Sequence, residues 1–189
     1  MNAPKVVAHL ESCLGPVDAG WRHAEAGYPL PFDVALFRSG PLEDSATFST
    51  VGLSNQELRS ERSGKVIRHE LVVVTRQGFG VRNIPALMQQ LGMEAIREGR
   101  AYLRGEVVGP RDAIFEGTQM AAFYVSAPSC FPSSFARVAT SEGVVVFAWF
   151  IPITRPEAEY VLREGWEQFE DVLANAEVDL TDFDRNSIV

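Results

Sequence analysis

The stretch that decides the fold is VVVFAWFIPITRPE, residues 144–157. Its first ten residues are apolar on both faces of an extended chain, which is typical of a strand in the middle of a sheet. Thr154 and Glu157 then have the spacing of a helix capping box, and Pro156 fits the first turn of a helix. The stretch therefore predicts a central strand over residues 144–153 that is followed at once by a helix.

This helix is predicted over residues 155–175. One of its faces is apolar, with a bend expected at Gly165, so the helix should pack against the sheet. The residues on that face recur every three or four positions: Ala158, Val161, Leu162, Gly165, Trp166, Phe169, Val172 and Leu173.

Weaker patterns predict the other elements. Helical spacing of apolar residues predicts helices over residues 4–14 and 84–96, although Gly92 is an unfavourable residue inside the second one. No regular period is found in residues 15–31, which are interpreted as an ordered irregular segment. Runs rich in β-branched and aromatic residues predict strands over residues 33–37, 47–53, 65–75, 106–108 and 120–125.

These elements predict one domain over residues 1–189, of the α+β class. Its parts are an N-terminal helix and lead-in over residues 1–20, a sheet with an inserted helix over residues 33–153, and the C-terminal amphipathic helix over residues 155–175. The sheet is expected to be mostly antiparallel or mixed and to be flanked by helices.

Length and composition agree with a folded domain. The chain has 189 residues, of which 46% are hydrophobic and 22% charged, and this balance is typical of globular proteins. The longest apolar run has eight residues, far fewer than the roughly 18 needed to span a membrane, and no secretory signal precedes it. We therefore expect a cytoplasmic protein without a membrane segment. Cys13 and Cys130 lie far apart and are expected to be free thiols.

Negative charge is concentrated near the C-terminus. The net charge of −8 argues against nucleic-acid binding, which requires clustered Lys and Arg. Residues 157–184 contain ten acidic residues and one arginine, a net charge of −9. This segment is interpreted either as a solvated helix face or as an acidic patch that steers a basic protein partner. The candidate contact residues of the patch are Glu164, Glu167, Glu170, Asp171, Asp182 and Asp184.

No catalytic motif is complete. Residues 52–56, GLSNQ, lack the final glycine of a nucleophile elbow, and residues 78–83 lack the third glycine of a dinucleotide-binding loop. His9, His23 and His69 do not have the spacing of metal ligands. The sequence therefore favours a protein without catalytic activity, metal or cofactor.

One enzymatic alternative stays open. It is an unrecognised site that contains His23, His69 or the pair Asp182 and Asp184. Against it, His69 and its neighbour Glu70 are predicted to point to opposite faces of a strand, so they cannot act on one substrate.

A combination of motifs extends over most of the chain from about residue 33 onward. FAWFIPIT at residues 147–154 is followed by Pro156 and Glu157, and the chain ends with DRNSIV at residues 184–189. TVGLS at residues 50–54 and ELVVV at residues 70–74 accompany them. Together these motifs resemble the suppressor of fused family, whose bacterial members are single small domains. Two features depart from the family pattern: Asn186, where members often have proline, and residues 109–119, which do not align.

The resemblance implies a non-enzymatic protein-binding domain. Eukaryotic relatives hold a transcription factor by pairing an extended peptide beside their sheet. In bacteria the same domain resembles an immunity protein that neutralises a polymorphic toxin. This is the function we favour, with a basic toxin domain as the partner. The alternative is a regulatory or scaffold module that binds an extended peptide by strand addition.

Overall fold

The apolar stretch that ends at Thr154 forms the central strand of a sheet in a computed structural model, which describes residues 3–24 and 27–189. Residues 1 and 2 of the predicted N-terminal part, and residues 25 and 26 of the predicted irregular segment, lie outside the described residues. The described part contains nine strands and four α-helices. The strands are β1 (Ala19–His23), β2 (Pro29–Phe37), β3 (Ser45–Val51), β4 (Leu58–Arg59), β5 (Val66–Arg76), β6 (Val107–Val108), β7 (Met120–Ser126), β8 (Arg137–Thr140) and β9 (Gly143–Thr154). The helices are α1 (Ala3–Leu14), α2 (Ile84–Glu98), α3 (Arg155–Glu164) and α4 (Trp166–Asn175).

The sheet is mixed and mostly antiparallel, as predicted. Its strand order is β1-β2-β3-β5-β9-β7-β6, with β4 paired to β5 and β8 paired to β9. Among the described strands, β5 and β9 form the one parallel pair, with Arg68 opposite Val145 and Val72 opposite Trp149. The α+β fold class is therefore confirmed.

Helices cover both faces of the sheet, which explains why β9 is apolar on both sides. Ala148 and Phe150 of β9 point into the core beneath α2, whereas Phe147 and Trp149 point into the core beneath α1, α3 and α4. Each face thus buries its own apolar cluster, and β9 lies between the two. None of the helices in the described residues is both long and apolar enough to cross a membrane.

The helix predicted over residues 155–175 is two helices. The predicted capping box is present at the start of α3: Thr154 Oγ1 accepts a hydrogen bond from the Glu157 N–H, and Glu157 Oε2 accepts one from the Thr154 N–H. Gly165 then has φ 93° and ψ 161°, which is outside the helical region, and α4 begins at the next residue. The predicted bend at Gly165 is therefore a break, which glycine tolerates because it has no Cβ.

The segment predicted to be irregular contains a strand. Within residues 15–31, Trp21 of β1 lies opposite Val34 of β2, and β2 itself begins at Pro29. The sequence pattern does not predict β1, because β1 is a short edge strand with exposed polar residues and a register shift between Trp21 and His23. The short strands β4 and β8 were missed for the same reason of length.

Gly92 is unfavourable for a helix by propensity, but it is needed for the packing of α2 against the sheet. The side chain of Phe32 from β2 lies directly over this position. A Cβ added at Gly92 would come within 2.3 Å of Phe32 Cζ, far closer than carbon atoms can approach. Glycine is therefore the residue that lets α2 lie close to the sheet.

We predict that Gly92→Ala destabilises the protein by about 1–3 kcal/mol, because the added methyl group forces Phe32 out of its position. In an unobstructed helix, a change from glycine to alanine stabilises the protein by roughly 1 kcal/mol. The sign of the change in the free energy of unfolding therefore shows whether Phe32 obstructs this position. Urea unfolding followed by tryptophan fluorescence measures the effect. Gly78→Ala is the matched control, since nothing lies within 4 Å of a Cβ there. A stabilised Gly92→Ala protein would contradict the packing described.

The C-terminal residues return to the start of α3. Arg185 forms a two-point ion pair with Glu157, with distances of 2.5 Å from Nη1 to Oε1 and 2.9 Å from Nη2 to Oε2. Ser187 accepts a hydrogen bond from Thr154 Oγ1, and the Ile188 N–H donates to Glu157 Oε1. The end of the chain is thereby fixed to the helix cap.

Candidate functional site

The hairpin of β8 and β9 leaves one strand edge unpaired. In the described part of the chain, β8 pairs with β9 alone. The Phe147 N–H donates to the Ala136 carbonyl at 3.0 Å, so these two residues are a hydrogen-bonded pair of the antiparallel ladder. In such a ladder, every second residue directs its N–H and carbonyl groups towards the neighbouring strand. Val138 and Thr140 consequently direct their backbone groups towards β9. The backbone groups of Arg137 and Ala139 point outward, where no other described backbone group binds them.

Two exposed valines lie one strand inward from this edge. Val144 is 54% exposed and Val146 is 37% exposed, although both belong to the central strand β9. They lie opposite Ala139 and Arg137, so the four side chains share one face of the sheet. Adjacent β-branched residues left uncovered on a sheet face form an apolar surface that another chain can bury.

The other ends of the sheet are less suited to pairing. β4 and β6 have two residues each, so they offer little edge to an added strand. β1 has a register shift between Trp21 and His23, and such irregularities protect natural edges from further pairing. The outer edge of β8 is therefore the most regular unpaired edge with apolar surface near it.

A cavity of about 490 Å³ lies where β7 ends and β8 begins. Its volume falls within the range of about 300–1,000 Å³ that is usual for ligand pockets. Residues 127–136 connect β7 to β8, and part of this connection lines the cavity. Most of the lining is apolar and includes Ile67, Tyr102, Leu103, Pro128, Val146 and Ala148.

Two arginines, Arg104 and Arg137, line the same cavity, and they differ in whether an acidic side chain pairs with them. Arg104 donates two hydrogen bonds to Glu170, from Nε to Oε1 at 2.9 Å and from Nη2 to Oε2, so its charge is compensated. Arg137 is exposed, and no acidic side chain in the described part of the chain forms an ion pair with it. The cavity thus combines apolar walls with one uncompensated positive charge.

Three of the six predicted acidic contact residues are bound within the protein. Glu170 accepts hydrogen bonds from Arg104 and from Tyr124 Oη at 2.9 Å, and the Arg104 bonds lower the pKa of this carboxyl. Glu164 pairs with Arg163 at 2.6 Å, and Asp182 pairs with Arg76 at 2.8 Å.

The other three, Glu167, Asp171 and Asp184, are exposed, and the described residues form no ion pair with them. The surface is less negative than a count over residues 157–184 suggests, because Arg76, Arg104 and Arg185 come from outside that segment and pair with acids inside it.

The residues of the enzymatic alternative lie in different environments. His23 is exposed on β1, whereas His69 is fully buried on β5, and strands β2 and β3 lie between them. Asp182 is engaged by Arg76, and its Oδ1 accepts a hydrogen bond from the Asp184 N–H. The structure does not bring these groups into one site. No cluster of three metal-ligating side chains occurs within residues 3–24 and 27–189.

His69 is packed as an apolar residue. Neither ring nitrogen has a hydrogen-bond partner among the described residues, and the ring lies edge-on to Tyr102 with 6.2 Å between centroids. Burial lowers the pKa of His69 to about 4, so the ring is neutral near pH 7.

Glu70 is a buried carboxylate that fixes a turn. Its oxygens accept hydrogen bonds from the N–H groups of Gly52, Leu53 and Ser54, and from Thr50 Oγ1 at 2.6 Å. Burial raises the pKa of Glu70, and these donors oppose the rise. The motifs TVGLS and ELVVV therefore meet in space, and their shared role is structural.

A mixed sheet covered by helices on both faces, with the unpaired edge of β8 near exposed apolar side chains, defines the class as an α+β domain with a free strand edge. Residues 29–186 match the family model described as suppressor of fused protein (SUFU). The chain therefore belongs to the suppressor of fused family. No protein with a curated description is significantly similar to it in sequence.

Solved structures have the same fold at low sequence identity. A SUFU homolog from Neisseria gonorrhoeae has a TM-score of 0.78 and 18% identity, covering 99% of this chain and 96% of that one. A chain of the Sufu–Fu complex has a TM-score of 0.72 and 12% identity, covering 99% and 92%. Drosophila Suppressor of Fused has a TM-score of 0.62 and 14% identity, covering 84% of this chain and 43% of that one.

Proposed function

We propose that this protein is a protein-binding domain that holds an extended segment of its partner by strand addition along the outer edge of β8. The observation that carries the proposal is the unpaired edge at Arg137 and Ala139, with Val144 and Val146 exposed one strand inward. An added strand gains main-chain hydrogen bonds from Arg137 and Ala139, and its long side chains on the face of Val144 and Val146 can reach across β8 towards the valines. The family relationship supports the general class, because a Sufu chain of similar fold forms a complex with Fu.

Proline at position 139 tests this proposal. The Ala139 N–H points away from β9, so Ala139→Pro removes an outer donor and puts a ring in the path of an added strand without breaking the β8–β9 ladder. A displayed library of random 12-residue peptides is selected against the wild-type protein, and the affinities of enriched peptides are measured by fluorescence anisotropy. We expect Ala139→Pro to weaken binding by about tenfold or more, equivalent to about 1.4 kcal/mol.

The matched control is Ala139→Val, which keeps the N–H and suits a strand, and its affinity should stay within about twofold of wild type. Circular dichroism verifies that both variants are folded. Equal peptide affinity of the Ala139→Pro and Ala139→Val proteins would contradict strand addition at β8, and so would failure to enrich any peptide.

We further propose that the partner is a basic toxin domain and that this protein acts as its immunity protein. The support is the net charge of −8 together with the exposed carboxylates of Glu167, Asp171 and Asp184. Negative charge at these positions attracts a basic partner and accelerates association at low ionic strength. A regulatory or scaffold module that uses the same edge for a peptide is the alternative, and it predicts no inhibition of a toxin.

Charge reversal tests the identity of the partner. The immunity function predicts a toxin domain encoded beside the gene, and this domain is produced separately and mixed with the protein in a stopped-flow instrument at low and moderate salt. The double variant Glu167→Lys and Asp171→Lys should associate about tenfold more slowly at low salt and depend less on salt. The control Glu43→Lys and Glu57→Lys makes the same change in net charge on other exposed segments. Equal rates for the two double variants would refute electrostatic steering by α4, and an uninhibited toxin would refute the immunity function.

A further inference from the structure

We infer that the bound segment carries an apolar side chain that enters the cavity between β7 and β8, and an acidic side chain two positions away that pairs with Arg137. This inference rests on the strand addition proposed above and specifies the chemistry of the partner. It names a sequence pattern, acidic–any–apolar in one of the two strand directions, that the partner segment should contain.

The position of the cavity places it within reach of a strand on the β8 edge. Its wall includes Ala136 and Arg137, the residues at which β8 begins, while Val146 and Ala148 of β9 form part of its floor. Val146 lies directly opposite Arg137 in the ladder. A segment paired with β8 lies about 4.8 Å from Arg137, so a long side chain on the face shared by Arg137 and Val146 can reach over the start of β8 into the cavity.

The apolar lining determines what can fill the cavity. Tyr102 and Leu103 contribute from the segment after α2, and Ile67 contributes from β5. Burying an aliphatic or aromatic side chain there is favourable, because it removes the apolar surface of that side chain and of Val146 from water. A cationic side chain in the same place would lose its hydration beside two arginines, because Arg104 and Arg137 both line the cavity.

The charge at the rim determines what lies next to the apolar residue. Arg137 is exposed and unpaired among the described residues, so a carboxylate on the partner can approach it without displacing another acid. Residues at positions i and i+2 of a strand project from the same face. An acidic residue opposite Arg137 therefore places a residue two positions away on the same face, beside the start of β8 and the cavity.

The peptides enriched by selection provide the probe. They should share an acidic residue separated by one position from a large apolar one. Ser133→Trp fills the cavity from its wall and should weaken binding by about tenfold, whereas the adjacent exposed Ser134→Trp lies outside the lining and should leave affinity within about twofold. Arg137→Glu should weaken binding by about fivefold, and a peptide with Lys in place of its acidic residue should bind this variant better than wild type.

The outcomes separate this inference from the proposed function. Peptides that lose affinity for Ala139→Pro but bind Ser133→Trp and Arg137→Glu normally would overturn the inference and leave strand addition standing. Peptides insensitive to Ala139→Pro would overturn the proposed function itself. A dimer of the free protein that dissociates in Ala139→Pro, seen by light scattering, would make a second copy the occupant of the edge and overturn the inference.

Discussion

Replacing Arg185 by methionine is expected to lower the free energy of unfolding by about 3–5 kcal/mol, the usual cost of removing one partner of a buried ion pair. The side chains of Arg185 and Glu157 are 4% and 0% exposed. Arg185 also donates to the carbonyls of Pro152 and Asn186, so it joins β9, α3 and the C-terminal residues. Without it, the buried Glu157 carboxylate keeps only backbone donors and loses its counter-charge.

Urea unfolding followed by tryptophan fluorescence measures this loss. Arg163→Met removes an exposed arginine of an ion pair and should cost less than about 1 kcal/mol, which makes it the matched control. Adding Glu157→Gln to Arg185→Met should restore part of the stability, because the unpaired charge is then gone. If Arg185→Met is too unstable to purify, Arg185→Lys keeps the charge but loses the two-point geometry and should be intermediate. An Arg185→Met protein as stable as Arg163→Met would contradict the described role of the pair.

Acidification should destabilise the protein through His69. Burial holds the pKa of this ring at about 4 in the folded protein, against about 6.5 in an unfolded chain. Below pH 6.5 the unfolded chain therefore binds a proton that the folded protein does not, and stability falls until about pH 4. Between pH 7 and pH 4.5 this single group is expected to remove about 2.5 kcal/mol.

The comparison with His69→Phe isolates that contribution. Both proteins are unfolded with urea at pH 7 and at pH 4.5, and the change in free energy of unfolding between the two pH values is compared. The carboxyl groups titrate in both proteins and cancel in the difference. The wild type should lose about 2.5 kcal/mol more than His69→Phe. Equal losses would mean that His69 gains a proton in the folded state as readily as in the unfolded one.

The central strand and its helix cap could be predicted because their determinants are local. Residues 144–157 contain both the two-sided apolar run of a central strand and the complete capping box, and the structure has both. The break at Gly165 was predicted only as a bend, because sequence periodicity does not reveal a backbone torsion. The short strand β8 was not predicted, because four residues are too few to show a clear strand period.

The fate of the acidic residues could not be predicted, because their partners are distant in sequence. Glu170 binds Arg104, 66 positions away, and Arg76 binds Asp179, 103 positions away. Nothing in the local spacing distinguishes these acids from the exposed Glu167. The motifs behind the family resemblance behave differently. Glu70 with the turn after β3, and Glu157 with Arg185, form two buried hydrogen-bonded carboxylate sites, so these residues stabilise the fold.

The candidate site depends on a similar long-range arrangement. Val144 and Val146 have the pattern of core residues of the central strand, yet they are 54% and 37% exposed, because the covering of a strand face depends on parts of the chain that are distant in sequence. The turn residues before Gly143, which follow the short run RVAT, are the one signal in the sequence that could have indicated a hairpin there.

Residue-resolved amide hydrogen exchange, measured by NMR on the protein with and without a saturating selected peptide, tests the central claim most directly. Strand addition at β8 predicts that exchange of the Arg137 and Ala139 amides slows by about tenfold or more in the complex, because these groups gain partners. The Val138 and Thr140 amides already face β9 and serve as internal controls. Protection at β1 or β6, with Arg137 and Ala139 exchanging as fast as in the free protein, would contradict the account.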